Sequence, residues 1–430
     1  MTRRNVLQLL GAGVALPTIA SLAGCSVDTV AAVKGGGKLT YVYNGAARDA
    51  AAQKAQFSAF LKANPKIEFT AQGIAAATWA SYADTIATRI AGGAAPDVVD
   101  IATEGLGLFR SKKLVKPLDP FIKKNQAAID NYYADIDPTF KKISDKYGNP
   151  GGTTYFMPGG FNPVCIWANV DLFKKAGVDL PGDNDWTWDD FEAAAVKIKQ
   201  KTGAFIGVGD SAQFTGVMPW LLTNGASTLN ATWDKAIVDS DAAIEAAQFV
   251  AKLVAKGLLA KPGGTVDAPA LLAQGKIATV AAGRWVLGEF RTLNQIDNLQ
   301  IVKFPKKTTN GSPIGWDAFP ILSSSENEDA AWSFVEFLTT KENGIAFAKA
   351  GGNNVPARKS VALSSAFLEN APKGSEQLYK AAEYATAVPS PDRGDLTQTA
   401  IEAAWLSIIS GQTAADKGLK QLNDKLSSLL

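Results

Sequence analysis

The sequence predicts an α/β fold in two lobes, each discontinuous in sequence, around a hinged cleft. Three observations carry this. The chain has 430 residues, more than one hydrophobic core holds. Strand-like runs alternate with amphipathic helical stretches from Leu39 onward. Two segments dense in helix breakers, residues 157–163 and 310–316, mark where the chain would cross between compact units.

Residues 39–43 form a β-rich run ending at Asn44-Gly45. Residues 48–63 place Ala52, Ala55, Phe57, Phe60 and Leu61 mostly along one helical face and stop at Asn64-Pro65, where the next extended run, 66–71, begins. A second amphipathic helix, 79–91, closes at Gly92-Gly93, and a third strand, 96–101, emerges into Ala102-Thr103-Glu104. This alternation argues for an open, largely parallel sheet, whose ligands sit beyond the carboxyl ends of the strands. Asn44, Gly45, Thr103 and Glu104 are therefore expected to face one crevice. After the first crossing, Val164 to Trp167 reads as a buried strand and 171–176 as a helix stopped by Gly177. Thr187-Trp188-Asp189-Asp190 has the form of a capping box opening a helix over 188–199. Residues 242–255 and 329–338 are amphipathic helices, and 278–282 is an apolar strand ending at Gly283-Arg284-Trp285. The expected lobes are 39–160 with 313–348, and 161–312 with 349–430.

Composition narrows the chemistry. Histidine is absent, which removes histidine acid/base catalysis, Ser-His and Cys-His nucleophile pairs and most zinc sites. With 43 basic and 41 acidic residues there is no electrostatic footprint for nucleic acid. No phosphate-cradling glycine loop, paired-cysteine metal motif or Gly-x-Ser-x-Gly elbow is present, and neither a cofactor nor a metal is expected. Cys25 and Cys165 are the two cysteines. Cys165 lies inside an apolar strand, where a buried inert thiol is expected.

Residues 1–24 open with Thr2-Arg3-Arg4-Asn5, continue through a mildly apolar stretch and end in Leu22-Ala23-Gly24 before Cys25. The paired arginines resemble a twin-arginine export signal, and Leu-Ala-Gly-Cys resembles a bacterial lipobox. Cleavage and acylation at Cys25 would tether the protein to the outer face of the cell membrane, with 25–38 as a linker containing Gly35-Gly36-Gly37. Either the twin-arginine or the general secretory route would serve.

Ten tryptophans are the most informative side chains. Sugar rings present apolar C–H faces that stack on aromatics, while their hydroxyls need fixed donors and acceptors. Trp285, after Arg284 at a strand end, and Trp316, before Asp317 in the second crossing, occupy such positions. Trp188, Trp332 and Trp405 sit in helix patterns and read as core. Arg284 would add a cation for an acidic or phosphorylated sugar. Glu104 and Asn162 are the polar candidates of the first unit and the crossing, and Gln213 and Phe214 lie in a loop before Trp220. Asp392 and Arg393 form a late loop pair in which a plain surface ion pair is expected.

Six segments then align in order with a known pattern: 60–67 (FLKANPKI), 90–99 (IAGGAAPDVV), 114–119 (LVKPLD), 168–177 (ANVDLFKKAG), 186–191 (WTWDDF) and 330–338 (AAWSFVEFL). Together they resemble the family 1 extracellular solute-binding proteins of ABC importers, the group that includes maltose-binding protein. The resemblance implies a periplasmic-binding-protein-like fold, closure on a carbohydrate, and delivery to the transmembrane subunits of an ABC permease by a monomeric, non-enzymatic receptor. It maps ligand contacts onto Thr103, Glu104, Asn162, Trp285 and Trp316. Asn162 stands where maltose-binding relatives carry Glu, and Gly283-Arg284-Trp285 stands for the family's Gly-Pro-Trp. Two rival readings are an exported glycoside hydrolase using Glu104 and Asp317, and a structural or adhesive surface lipoprotein.

Overall fold

A computed structural model describes residues 36–45, 56–264 and 266–430. Twelve strands are described: β1 (Gly37–Asn44), β2 (Ile67–Ile74), β3 (Val98–Val99), β4 (Ile101–Ala102), β5 (Met157–Pro163), β6 (Cys165–Asn169), β7 (Gly207–Val208), β8 (Leu259–Ala260), β9 (Thr279–Ala282), β10 (Leu299–Val302), β11 (Ser312–Phe319) and β12 (Ala385–Ala387). β2, β1 and β3 form a parallel sheet in that order, as the alternating pattern predicts. Among the described residues, parallel pairing recurs only in the short β7–β8 and β11–β12 pairs. β6 pairs antiparallel with β9 on one side and β10 on the other.

Both breaker-rich segments are strands, which helix-breaking composition alone does not reveal. β5 and β11 pair antiparallel, with Pro163 opposite Ile314, Asn162 opposite Gly315 and Phe161 opposite Trp316. β11 also pairs antiparallel with β4 and parallel with β12, so one strand gathers three others. Proline and glycine are tolerated because neither residue has to propagate a helix and the ribbon is short and irregular.

Side-chain alternation on β6 separates two hydrophobic cores. Cys165 and Trp167 face the first, which runs through Tyr41, Val99, Phe109, Phe161 and Phe334. Val164, Ile166 and Ala168 face the second, with Trp188, Trp220, Leu253 and Trp405. Trp167 is fully buried and stacks on Phe290 at 5.6 Å. Residues 349–430, grouped in one lobe above, divide between the cores. Val355, Val361, Phe367 and Leu378 join the first, carried there by the pairing of β12 with β11, and the second takes over at Val388. Away from the ribbon, Tyr147 stacks on Trp233 at 4.1 Å and donates its hydroxyl to the Ala231 carbonyl at 3.1 Å.

The helices follow their local signals. Thr78 and Ser81 cap the helix Trp79–Ala91 reciprocally, and Thr187 and Asp190 do the same for Trp188–Thr202. Val170–Ala176 ends at Gly177, whose φ of 64° is the left-handed conformation that glycine adopts freely. The expected helix over 48–63 is described as Ser58–Ala63; residues 46–55 lie outside the described residues. So do Cys25 and the whole of 1–35. No helix among the described residues is long and apolar enough to cross a membrane.

The crossing from β5 to β6 depends on one hydroxyl. The Val164 N–H donates to Ser312 Oγ at 2.8 Å, and this buried oxygen also lies 3.1 Å from the Val164 carbonyl. Ser312→Ala strands these buried backbone groups, and a loss of about 1–3 kcal/mol in unfolding free energy is expected in urea titration. An unchanged midpoint and slope would show that the crossing is held by the ladder alone.

Candidate functional site

Asp317 is the centre of the site, and the sheet register puts it there. It lies opposite Ala102 in the β4–β11 pair, beside the start of the helix Thr103–Ser111 and therefore beside Glu104. On its other side the β5–β11 register slips: Trp316 faces Phe161, but Ala318 faces Pro158. Gly159 and Gly160 thus stand as a bulge against the single residue Asp317. Both glycines are needed for space. A Cβ on Gly159 would meet Phe319 Cε2 at 2.5 Å, and one on Gly160 would meet Asn354 Cβ at 2.8 Å.

A polar relay runs from Asp317 across the ribbon. Asn354 Nδ2 donates to Asp317 Oδ2, and Asn162 Nδ2 donates to Asn354 Oδ1 and, at 3.1 Å, to the Asn353 carbonyl. Asn162 Oδ1 accepts the Arg284 backbone N–H at 2.8 Å. The side chain singled out in the first crossing therefore ties that strand to the loop after β9. Trp285 follows immediately. Its ring lies back over Gly283, where an added Cβ would sit 2.2 Å from Cζ3, and it is 38% exposed. Phe214 packs beside it with ring centroids 5.9 Å apart and 59° between planes. Phe214 also lies against Gly315, the residue opposite Asn162. The aromatic pair and the amide relay are thus contiguous.

Asn44, at the carboxyl end of β1, lines one cavity together with Tyr41, Trp79, Asp100, Asp317 and Asn354. Of the four residues expected in one crevice, Asn44 lines this cavity, while Gly45, Thr103 and Glu104 do not. Burial pushes the Glu104 carboxyl up to about 7, against one backbone hydrogen bond. It pushes Asp317 up to about 7 as well, opposed by the bond from Asn354 and reinforced by Glu104. Asp100 is raised by burial and by Asp317. Glu104 Oε2 and Asp100 Oδ1 are sealed from solvent with no hydrogen-bond partner. No three acidic or thiol side chains among the described residues are grouped so as to hold a metal ion.

Four expected contacts have other duties. Thr103 is fully buried and its Oγ1 accepts the Trp316 N–H at 3.0 Å, fastening β11 to the helix start. Trp316 is 2% exposed and set edge-on to Phe140 at 6.1 Å, so its ring is core and not a stacking platform. Alternation explains this: Asp317 points to the cavity, and its neighbour points away. Arg284 is also turned inward. It is 1% exposed, lies over the Phe367 ring at 3.8 Å and donates Nε to the Gly352 carbonyl at 2.9 Å. Burial, then Arg291, lowers it to about 9. Gln213 is buried, with its backbone N–H on Glu402 Oε1 at 3.0 Å. The Cys165 thiol is buried and pushed up to about 12, consistent with an inert role.

The sequence reading missed Asp100, Trp79 and Asn354, and used Asp317 only in a rival reading. Asp100 follows the third strand's apolar pair directly and was reachable by the strand-end rule. Asn354 was not: its loop is distant in sequence and meets Asp317 only through the bulge.

This architecture, a parallel sheet and an antiparallel sheet linked by the β5–β11 ribbon, is that of a two-lobed solute-binding protein. The chain belongs to the bacterial extracellular solute-binding protein family, whose model matches residues 44–345. A relative from Brucella abortus, itself assigned only as a binding protein, is 25% identical over 388 residues, 86% of this chain and 88% of its own. An arabinooligosaccharide-binding protein from Bacillus subtilis is 25% identical over 276 residues, 59% of this chain and 58% of its own. An ABC substrate-binding protein from Listeria monocytogenes, solved with cycloalternan, shares the fold with a TM-score of 0.77 at 23% identity, covering 91% of this chain and 98% of that one. The family is extracytoplasmic and consists of binding proteins.

The raised carboxyls make stability pH-dependent. Their folded values near 7 exceed the ordinary values near 4, so the folded state holds protons that the unfolded state has lost. Stability of the ligand-free protein falls as pH rises from about 4 to about 7, by on the order of 3 kcal/mol from this coupled pair. Asp317→Asn is expected to shrink that fall in denaturation curves at pH 5 and pH 7.5; an unchanged fall would place the titration elsewhere. Arg284→Met, which removes the bond to the Gly352 carbonyl and the contact over Phe367, is expected to lower the melting temperature measured by circular dichroism.

Proposed function

We propose that the protein is a carbohydrate receptor of an ABC importer. A mono- or oligosaccharide, or a related polyol conjugate, lies between the two cores and is delivered to the permease's transmembrane subunits. The observation that carries this is the half-exposed Trp285 and its partner Phe214 beside the Asn162–Asn354–Asp317 relay. An aromatic face next to fixed amides and carboxylates is what a sugar ring needs. The arabinooligosaccharide-binding and cycloalternan-bound relatives support it.

In this reading Asn44, Glu104, Asn162, Phe214 and Trp285 contribute to the ligand surface, joined by Trp79, Asp100, Asp317 and Asn354. The β5–β11 ribbon is the hinge, the two cores are the lobes, and ligand contacts made to both favour the closed arrangement that the permease reads. The receptor is a monomer without turnover, anchored by lipid on Cys25 after export by a twin-arginine or general secretory route.

A thermal-shift screen of the purified protein against a saccharide library tests the central claim: at least one sugar should raise the melting temperature in a concentration-dependent way, with no reducing sugar released from glycosides. For the binding sugar, Trp285→Ala should cost about 1–3 kcal/mol by calorimetry. Wild-type affinity in that variant would remove the stacking role.

A further inference from the structure

Trp285 stands on the rim of a second cavity, which shares no lining residue with the one that holds Asp317 and has a volume of about 380 Å³. Its rim is exposed. Val266 is 41% exposed, Trp285 is 38% exposed, and Gly263 and Gly264 present no side chain. Between Gly264 and Val266, Thr265 lies outside the described residues.

The interior is apolar. Phe191, Trp220, Val250, Leu259 and Phe304 line it, all buried and all members of the second core. Trp220 is set edge-on to Phe304 at 4.7 Å and to Phe191 at 5.7 Å, so the walls hold one another in place. Thr279 is buried in the same wall, but its hydroxyl is already donated to the Ile206 carbonyl at 2.6 Å. Asp210 and Thr215 are only half-buried, and the Asp210 carboxylate accepts both the Thr215 hydroxyl and, at 2.9 Å, the Ala212 N–H.

Protein cores leave few voids larger than a water molecule, so a space of this size opening beside Trp285 has the dimensions of a ligand compartment. An apolar cavity of about 150 Å³ takes up benzene, and a phenyl or hexyl group fits here. A further sugar ring does not suit it. Hydroxyls carried to Phe191, Val250 and Phe304 would lose water without gaining a partner, and an ammonium or carboxylate would lose more.

We propose that the ligand is a glycoside whose sugar ring lies against Trp285 and Phe214 and whose apolar aglycone, an alkyl or aryl group, enters this cavity. This rests on the carbohydrate reading above and narrows it. Trp285 serves both halves of such a ligand, since it belongs to the aromatic pair and to the rim.

Calorimetry at pH 7 with the methyl, hexyl and phenyl glycosides of glucose, galactose, xylose and arabinose, in both anomers, tests it. At least one hexyl or phenyl glycoside should bind about tenfold or more tighter than its methyl counterpart. Val250→Phe and Ala281→Leu, which fill the cavity from two walls, should bring that ratio toward one. A ratio unchanged in either variant, shown folded by circular dichroism, places the apolar group elsewhere and overturns the assignment. Methyl glycosides that bind as tightly as the hexyl and phenyl ones also overturn it and leave the carbohydrate reading standing. So does a panel in which no glycoside binds although the wider saccharide screen yields a binder. If that screen is blank as well, both fail.

Discussion

The pairing of β5 with β11 is the constraint on which the rest of the molecule depends. It joins two stretches of chain some 150 residues apart, brings β4 and β12 to the same strand, and passes the chain from one core to the other within a few residues of Pro163. Its register slip at Asp317 turns a structural seam into a site. The slip sets Gly159 and Gly160 against Asp317, whose carboxylate, on the face that strand alternation gives it, enters a cavity that already holds the exits of β1 and β3.

Two consequences meet at that point. The ribbon bends, because backbone without long side chains at Gly159 and Gly160 allows close approach from Phe319 and Asn354. It also connects, because Asn162 hydrogen-bonds both the Asn353–Asn354 loop and the backbone of Arg284. On the carbohydrate-receptor proposal, a movement of one core relative to the other would act on the same amides that a ligand touches, coupling binding to closure.

Arg284 sits beside the exposed Trp285, yet its side chain is held over Phe367 inside the protein. Asp100 and Asp317, more than two hundred residues apart in sequence, line one cavity.

Much was legible without coordinates. Local rules identified the helix Trp79–Ala91, the reciprocal cap at Thr187 and Asp190, the stop at Gly177 and the parallel start of the sheet, because each is decided by neighbours within a few residues. Trp285 and Asn162 were singled out because strand ends and breaker-rich crossings are local features too. Trp316, Thr103 and Arg284 were misread, and Asp317, Asp100 and Asn354 were undervalued, for one reason. Which face of a strand points to a cavity, and which distant loop closes it, is set by register between strands far apart in sequence. By itself the sequence determined the class of fold, the two crossings and the residue types available for a ligand; tertiary pairing alone decided which of them face it, since a slip of one residue exchanges the buried side chain for the presented one.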